Sequence, residues 1–408
     1  MDAGPARRRS AGFSLAELLV TLAVLGLAAW LVLRLVDRRT RVAAPEGAGS
    51  RTASVGEASL RAIVNDVRAA GTGGLSAADA FRPVEDNTTS AGRYLYRTAA
   101  GGTVVVRNGT DQLGLRGVIR SPLVALAPRD AVTDALLSDR VRARPDAAAV
   151  HLPAGKAAGA VRARLAEAAP PRKAFFLLRD AAGRWAVGRV VSAAEGLPES
   201  PLDVVLDFTD RDARALNHGG DPDAASRLGD VSAGGVFDDL VWFVAQGEEG
   251  KPPDFVMTND PASLAFPHPY LAAATGVGAD RWDVRRAGED VEDLQVAWGF
   301  AGPSGSIAWR GDAADSPAPL AGELADAAGR ARIKALKIAL SVKSAHRILR
   351  SAGAPAPEFT RLFNAAPFGK IPGAAPVGWD AVPERRVSFD RETREAVVAP
   401  PALLEAGP

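Results

Sequence analysis

The most informative chemical group in the sequence is the carboxylate of Glu17. It lies in the segment 13–33, FSLAELLVTLAVLGLAAWLVL, whose other polar residues are Ser14 and Thr21. A carboxylate near the centre of a bilayer costs roughly 2.5–3.5 kcal/mol, so this side chain needs a partner. Glu17 is therefore the first candidate functional residue.

A second candidate is an acid-rich stretch in the middle of the chain. Its members offer carboxylate or amide oxygens: Asp210, Asp212, Asp221 and Asp223, with Asn217 between them. Calcium takes several oxygen ligands from a flexible loop, so this stretch is a candidate calcium site, and Asp312 with Asp315 forms a second, smaller one. Neither has the residue order of an EF-hand or its terminal Glu. A solvated turn is the alternative interpretation of both.

No recognisable catalytic motif occurs in the sequence. The histidines are scattered, and none has the spacing of a zinc site: His151, His218, His268 and His346. The stretch 302–306 contains a serine near glycines but lacks the spacing of a nucleophile elbow. No phosphate-binding glycine loop is present. We therefore predict a protein that is not an enzyme and needs no cofactor, calcium excepted.

The composition sets further limits. The chain has 408 residues, of which 47% are hydrophobic and 24% charged, as in globular proteins. Its formal net charge is +1, so no overall field attracts nucleic acid, and no nucleic-acid partner is predicted. The chain contains no cysteine, which excludes disulfides, thiolate metal sites and thiol nucleophiles.

The element that positions Glu17 is a predicted transmembrane helix at 13–42. A helix rises ~1.5 Å per residue, so the apolar part, 13–33, covers about 30 Å, the thickness of the hydrocarbon layer. Three arginines at 7–9 precede it and stay in the cytoplasm by the positive-inside rule. The sequence thus predicts a short leader, 1–12, and then a single span with the rest of the chain on the far side.

A linker and a second helix are predicted over 43–74. One proline and two glycines make 44–50 a poor helix former, so we expect a break there, as a flexible tether or as local melting of the helix. Helical periodicity returns in 53–70, whose apolar residues follow the spacing i, i+3, i+4 and i+7: Leu60, Ile63, Val64 and Val67. Gly71 is expected to end this amphipathic stalk helix.

Residues 75–408 are predicted to form a β-rich globular head. Short apolar runs between Gly, Pro and Asp turns indicate antiparallel strands: Thr103–Arg107, Ala148–Leu152, a hairpin over 174–193, Leu202–Phe208, Val236–Ala245, Val291–Phe300 and Lys334–Lys343. The Ala/Gly/Pro-rich segments 303–330 and 351–383 are predicted to be loops. The predicted fold class is therefore α+β, with a long N-terminal helix and an antiparallel sheet in the head.

The N-terminal segment resembles a known processing signal. Residues 12–25, G-F-S-L-A-E-L-L-V-T-L-A-V-L, are similar to the prepilin cleavage and methylation motif of type IV pilins and type II secretion pseudopilins. The resemblance implies that prepilin peptidase cuts between Gly12 and Phe13 and methylates the new amine on Phe13. It also implies that Glu17 neutralises the amine of a neighbouring subunit in an assembling filament.

Two simpler interpretations of the same segment are open. A cleaved secretory signal would need a shorter apolar core and a small-residue cleavage site, which 27–29 offers only loosely. A plain signal anchor explains the apolar run, but it explains neither Glu17 nor the junction between Gly12 and Phe13. We favour the prepilin interpretation because it accounts for all of these features.

A second resemblance narrows the family. Residues 60–71, L-R-A-I-V-N-D-V-R-A-A-G, are similar to the helix end of PilW-like minor pilins, which follows the pattern D-[IV]-R-x-A-G. Residues 291–300 and 332–340 resemble two paired strands of the same family, in the same order along the chain. Trp298, where a Tyr is usual, and the helix-breaking linker depart from the family pattern. The segment 75–290 carries no such resemblance.

Together the resemblances imply a minor pilin of a type IV pilus, a structural subunit that takes part in pilus assembly or initiation. The implied partners are prepilin peptidase, other minor pilins, the major pilin and inner-membrane lipid. The implied location is the inner membrane, with a single pass and a periplasmic head, and the pilus after assembly. The alternatives are a type II secretion pseudopilin, a pilin-anchored adhesin or binding module, and a membrane-tethered exported enzyme.

Overall fold

A computed structural model describes the protein over a defined set of residues. These are 20, 22, 24–26, 29–30, 50–82, 95–98, 101–107, 110–126, 147–167, 173–193, 196–246, 270–278, 281–302, 305–310, 324, 326–343, 360–361, 371–372 and 391–400. The chain divides into two compact units, Met1–Arg51 and Thr52–Pro408. Each unit is described by itself below.

The first unit is helical at each of its described positions between 20 and 30. Large apolar side chains there are more than half exposed: Val20, Leu22, Val24, Leu25 and Trp30. Within the described residues, no helix has both the length and the apolar character needed to cross a membrane. The leader 1–12 and most of the predicted span 13–42 lie outside the described residues, as does the linker up to residue 49, so these assignments stay predictions.

Helix α1, residues 50–69, leads into the head. Its predicted apolar face is confirmed, because the four residues of that face are at most 8% exposed: Leu60, Ile63, Val64 and Val67. The helix ends as expected at a glycine, since Gly71 has a φ of 80° and Gly73 a φ of 108°. Glycine adopts such left-handed angles without a Cβ clash. Ser50, the last residue of the predicted break, is helical.

The head contains short helices and many strands. In chain order they are α2 (Ala77–Ala80), β1 (Phe81–Arg82), β2 (Leu95–Arg97), β3 (Thr103–Val105), β4 (Leu113–Gly117), β5 (Val124–Ala125), β6 (Ala147–Leu152), α3 (Lys156–Ala166), β7 (Phe175–Asp180), β8 (Trp185–Ala193), β9 (Leu202–Asp207), α4 (Arg211–Leu216), β10 (Val231–Ala245), β11 (Tyr270–Gly278), β12 (Arg281–Glu289), β13 (Val291–Ala301), β14 (Ile307–Arg310), α5 (Ala327–Ala331), β15 (Ile333–Lys343), β16 (Thr360–Arg361), β17 (Ile371–Pro372) and β18 (Arg391–Val398). Single 3₁₀ turns follow α4 at His218–Gly220 and Ala225–Arg227.

Two antiparallel sheets form the body of the head. The larger has ten strands in the order β1-β4-β10-β7-β8-β9-β6, with β5 and β11 also paired to β10, and β12 paired to β11. The smaller has the order β14-β13-β15-β18. Two further pairs, β2 with β3 and β16 with β17, stand apart. The pairings between these strands are antiparallel, which confirms the predicted β-rich, antiparallel head.

Strand β10 is the central strand of the larger sheet. It has 15 residues, and its neighbours change along its length. Residues 231–237 pair with β7, whereas 240–245 pair with β11. The sheet therefore forks beside Asp238, between the residues of β10 that pair with β7 and those that pair with β11.

Helix α1 packs into the main hydrophobic core. This core joins the apolar face of α1 to side chains of β4, β7, β10, β13 and β15. A Cβ on Gly56 would lie 3.2 Å from Cγ of Arg394 and 3.4 Å from Cγ2 of Val342, so a glycine lets α1 approach the smaller sheet closely. A second core lies between α3 and strands β6 to β9, and a third lies beneath the β2–β3 hairpin. The helix is thus an integral part of the head.

Most of the predicted strands are confirmed within a few residues, including the 174–193 hairpin as β7 and β8. The prediction that 303–330 is a loop was wrong, because β14 and α5 lie within it. Strand β14 has only four residues, IAWR, a run too short to show an alternating pattern. Segment 351–383 contains the short pair β16 and β17, and the rest of it lies outside the described residues.

Candidate functional site

The predicted processing site and its acid lie outside the described residues. This applies to Gly12, Phe13 and Glu17, so their roles in cleavage, methylation and assembly stay predictions. The described candidates are the acid-rich stretch after β9 and the contact between α1 and the head.

The acid-rich stretch begins with Asp210, which caps helix α4. Its Oδ1 accepts hydrogen bonds from the backbone N–H groups of Asp212 and Ala213, at 2.9 and 3.3 Å. Its Oδ2 lies 3.0 Å from Nζ of Lys173 and 2.9 Å from Nη1 of Arg189. Burial alone would raise the pKa of this carboxyl, but the hydrogen bonds from Arg189 and Lys173 outweigh that effect and lower its pKa.

Lys173 forms ion pairs with two acids of the stretch, Asp210 and Asp212. Its Nζ also lies 2.6 Å from Oδ2 of Asp212. Burial would lower the pKa of Lys173, but the hydrogen bonds to Asp212 and Asp210 outweigh it and raise the pKa. The structure therefore brings Asp210 and Asp212 together on the ammonium group of a lysine. We call Lys173, Arg189, Asp210 and Asp212 the cap cluster.

Asp221 has partners outside the cap cluster. Oδ2 of Asp221 lies 2.9 Å from Nη1 of Arg227, and its Oδ1 accepts the backbone N–H of Asp223 at 2.9 Å. Asn217 points instead into β8, where its Oδ1 accepts the backbone N–H of Val187.

The four acids do not converge on one point. In the described part of the chain, no group of three or more His, Asp or Glu side chains is placed to hold a metal ion. The pair Asp312 and Asp315 lies outside that part. The calcium site stays a prediction that the geometry of the described residues does not support.

The contact between α1 and the head is built around Asp66, the acid of the D-V-R-A-A-G stretch. Its side chain is 14% exposed, and Oδ2 accepts hydrogen bonds from Nη2 of Arg120 at 2.8 Å and from Nε1 of Trp242 at 3.1 Å. Arg120 follows β4, and Trp242 lies in β10. One carboxylate oxygen thus ties the helix to two elements of the head.

The environment of Asp66 disfavours its charge. Burial raises the pKa of its carboxyl above the ordinary value. The nearby Arg120 opposes that rise, the negative charge of Asp238 adds to it, and the bond from Trp242 opposes it. The rise prevails because a single arginine and an indole N–H do not compensate for the lost hydration.

Asp238 extends the network to helix α3. Its side chain is 1% exposed. Oδ2 accepts the backbone N–H of Arg120 at 2.9 Å, and Oδ1 accepts Nη2 of Arg164 at 2.7 Å. Arg164 lies in α3 and also binds Glu167 at 2.8 Å. Burial lowers the pKa of Arg164, but Asp238 and Glu167 outweigh that effect and raise it. We call Asp66, Arg120, Asp238, Arg164 and Trp242 the helix junction.

A small cleft opens at the fork of the larger sheet. It is lined by the start of β7, the end of β11, the middle of β10 and the charged side chains Arg164, Lys173 and Asp283. Its volume is about 30 Å³, which leaves room for only a few water molecules.

The two strand segments that resemble minor pilins form one ladder. Residues 291–300 lie in β13 and 332–340 cover the start of β15. The two strands pair antiparallel from Val291 with Val342 to Phe300 with Ile333, with a register shift near each end of the ladder. The polar members of the first segment are buried, at 1 to 4% exposed: Glu292, Asp293 and Gln295. Nε2 of Gln295 donates to Oδ1 of Asp293 at 2.8 Å. These polar residues therefore lie inside the head and not on its surface.

Sequence reasoning missed the helix junction, although one signal for it was present. Asp66 lies three positions after Ile63, at the edge of the face of α1 that was predicted to be apolar. A charge at such a position needs a partner. The sequence does not identify these partners, because Arg120 and Trp242 are 54 and 176 positions away from Asp66 in the chain.

Comparison with known proteins bears on the N-terminal segment. Residues 7–33 match the family described as the prokaryotic N-terminal methylation motif, which confirms the predicted prepilin-type motif. A type IV-like pilin from Thermus thermophilus aligns with 68% of this chain and 98% of its own, at 14% identity and a TM-score of 0.19. A TM-score that low does not show a shared fold, so this alignment carries no weight. No curated protein matches the chain. The chain thus carries the methylation motif of prepilins at its N-terminus.

Proposed function

We propose that this protein is a PilW-like minor pilin of a type IV pilus, with a structural and not an enzymatic role. The observation that carries the proposal is the match of residues 7–33 to the N-terminal methylation motif. In this proposal prepilin peptidase cuts between Gly12 and Phe13 and methylates the amine of Phe13. Helix 13–42 holds the chain in the inner membrane, with the head in the periplasm, until the subunit joins other minor pilins and the major pilin.

The chemistry of assembly follows from the position of Glu17. Its carboxylate in an apolar segment is stabilised when the positively charged amine of a neighbouring, processed subunit approaches it. The pair fixes the axial register of neighbouring helices, because an unpaired charge is costly in an apolar environment. The apolar side chains exposed between Val20 and Trp30 support this proposal, since such a surface needs either lipid or neighbouring helices to cover it.

The first experiment measures the N-terminus of the mature protein. Protein extracted from the membrane of the producing cell is analysed by mass spectrometry, and we expect it to begin at a methylated Phe13. Gly12→Leu should retain Met1, because a bulky side chain blocks the cut, whereas Gly4→Leu in the same leader should be processed normally. A wild-type protein that begins at Met1 would overturn the proposal.

The second experiment separates processing from assembly. Glu17→Ala should be cut and methylated like the wild type but be strongly depleted from sheared pili. Thr21→Ala, one helical turn away on the same helix, is the matched control and should be incorporated normally. Equal recovery of Glu17→Ala and the wild type in pili would contradict the assigned role of Glu17. Recovery of the protein only with a secretion filament would favour the pseudopilin alternative.

A further inference from the structure

Trp30 differs from the other residues of the apolar segment 13–33 because its large apolar ring also carries a hydrogen-bond donor, the indole N–H. Apart from Phe13, it is the only aromatic residue of that segment. It lies at a helical position, and its side chain is 56% exposed. A side chain of this kind suits the boundary between an apolar and a polar medium, because its two ends prefer different surroundings.

The helix that carries Trp30 exposes apolar side chains around most of its circumference. Successive helical residues are turned by about 100°, which spreads four side chains over more than half of the circle, each at least 60% exposed: Val20, Leu22, Val24 and Leu25. A Cβ on Gly26, on the remaining side, would meet no atom within 4 Å. A helix that is apolar on all sides fits a lipid medium or the interior of a helix assembly.

The charged residues after Trp30 indicate its depth in a bilayer. The first of them is Arg34, one helical turn later, and 37–39 are all charged. Charged side chains avoid the hydrocarbon layer, so this layer ends before Arg34. At a rise of ~1.5 Å per residue, Trp30 lies about 6 Å from Arg34 along the helix. This is the level of the headgroups, where tryptophan is enriched in membrane proteins.

We propose that Trp30 is an interfacial anchor that holds helix 13–42 at a set depth, with its indole at the lipid headgroups on the side of the head. This inference rests on the proposed function, which puts the helix in the inner membrane. Its consequence concerns Glu17, which lies 13 positions earlier and therefore about 20 Å further into the bilayer along the helix. By fixing this depth, Trp30 makes every subunit present its carboxylate at the same level before assembly.

The test measures the depth of Trp30 with brominated lipids, which quench the fluorescence of nearby indoles. The full-length protein is reconstituted into vesicles of phosphatidylethanolamine and phosphatidylglycerol whose acyl chains carry bromine either near the headgroups or near the bilayer centre. The chain contains seven tryptophans, so the signal of Trp30 is the difference between the wild type and Trp30→Phe. Bromine near the headgroups should quench this difference signal at least about twofold more than bromine near the centre.

Trp185→Phe, in strand β8 of the head, is the matched control and should keep the lipid-dependent quenching of the wild type. Stronger quenching of the difference signal from the bilayer centre, or none from either lipid, would overturn the anchor. Flotation of the vesicles on a density gradient shows separately whether the protein is bound. A wild type that does not float with the vesicles would refute the proposed membrane helix itself, and with it the anchor.

A second variant moves the indole without changing the composition of the helix. Trp30→Leu combined with Leu33→Trp shifts the indole by about 4.5 Å along the helix, so an anchored helix slides by the same distance and takes Glu17 with it. We expect this double variant to be cut after Gly12 like the wild type but to be recovered several-fold less in sheared pili. Wild-type recovery of the double variant would overturn the role of Trp30 in setting the depth of Glu17, while the processing result would still support the proposed function.

Discussion

The helix junction and the cap cluster each contain a buried aspartate, and the pKa of the two carboxyl groups is shifted in opposite directions. Asp66 and Asp210 have side chains 14% and 7% exposed, yet the pKa of Asp66 is raised and that of Asp210 is lowered. Asp210 receives two cations and two backbone N–H groups at the start of α4. Asp66 receives one arginine and an indole N–H, with a second acid nearby. At Asp210 the hydrogen bonds and nearby charges outweigh the loss of hydration, whereas at Asp66, with fewer donors, the loss of hydration prevails.

The largest effect is expected at Asp238, the most deeply buried acid of the helix junction. Asp238→Ala leaves Arg164, whose side chain is 14% exposed, without its buried partner, and also frees the backbone N–H of Arg120. Removing one member of a buried pair costs about 3–5 kcal/mol. Urea unfolding of the full-length protein in detergent, followed by tryptophan fluorescence, measures this loss. Asp203→Ala, whose carboxylate is 57% exposed, should change the unfolding free energy by no more than about 0.5 kcal/mol.

The cap cluster should tolerate a change better, because its cations remain partly hydrated. Asp210→Ala removes the cap of α4 and both ion pairs, and should lower the free energy of unfolding by about 1–3 kcal/mol. Asp210→Asn keeps the cap, since Asn is as good a capping residue as Asp, and should lose only the part due to charge. Equal losses for Ala and Asn would show that the ion pairs, and not the cap, stabilise this region.

The pH dependence of stability distinguishes the two regions by sign. The stabilisation from Asp210 is present above its unfolded pKa of about 3.9 and is lost as the pH falls through its lowered folded pKa. Asp210→Asn should therefore lose less stability on acidification than the wild type. Asp66→Asn should instead lose less stability than the wild type as the pH rises above about 4.

Urea unfolding at a series of pH values measures both variants against the wild type. If the two variants change the profile in the same direction, the comparison between the two regions fails.

The smallest effect is expected at Lys173. Its side chain is 34% exposed, and Arg189 remains beside Asp210 when it is removed. Lys173→Met should therefore lower the free energy of unfolding by about 0.5–1 kcal/mol. Lys156→Met, at the exposed start of α3, is the matched control and should leave the unfolding midpoint in urea unchanged.

Local patterns in the sequence predicted the elements of the head but not their arrangement. The i, i+3, i+4, i+7 spacing from Leu60 to Val67 correctly reported the buried side of α1. The alternation in 334–343 reported the buried apolar side of β15, but Ala339, Ser341 and Lys343 on the other side are buried as well. Strand order depends on which buried faces fit together, and no local pattern contains that information. The fork of the larger sheet and the four-residue strand β14 were therefore not predictable.

The candidate site shows the same limit. A run of acids predicted oxygen ligands for calcium, but Lys173 and Arg189, which bind Asp210, come from 37 and 21 positions earlier in the chain. Charges that distant strands bring together determine whether an acid is a metal ligand or half of an ion pair. In contrast, the N-terminal motif is contiguous, and the sequence alone was enough to recognise it.

The exchange of neighbours along β10 has a mechanical consequence. Residues 231–237 of this strand hold β7, and 240–245 hold β11, so one continuous chain segment links both halves of the sheet. If either β7 or β11 separates from β10, one end of β10 is released, and β10 is also the pairing partner of the other strand. Under a pulling load we therefore expect the sheet to give way in one cooperative step, without a stage in which half of it survives.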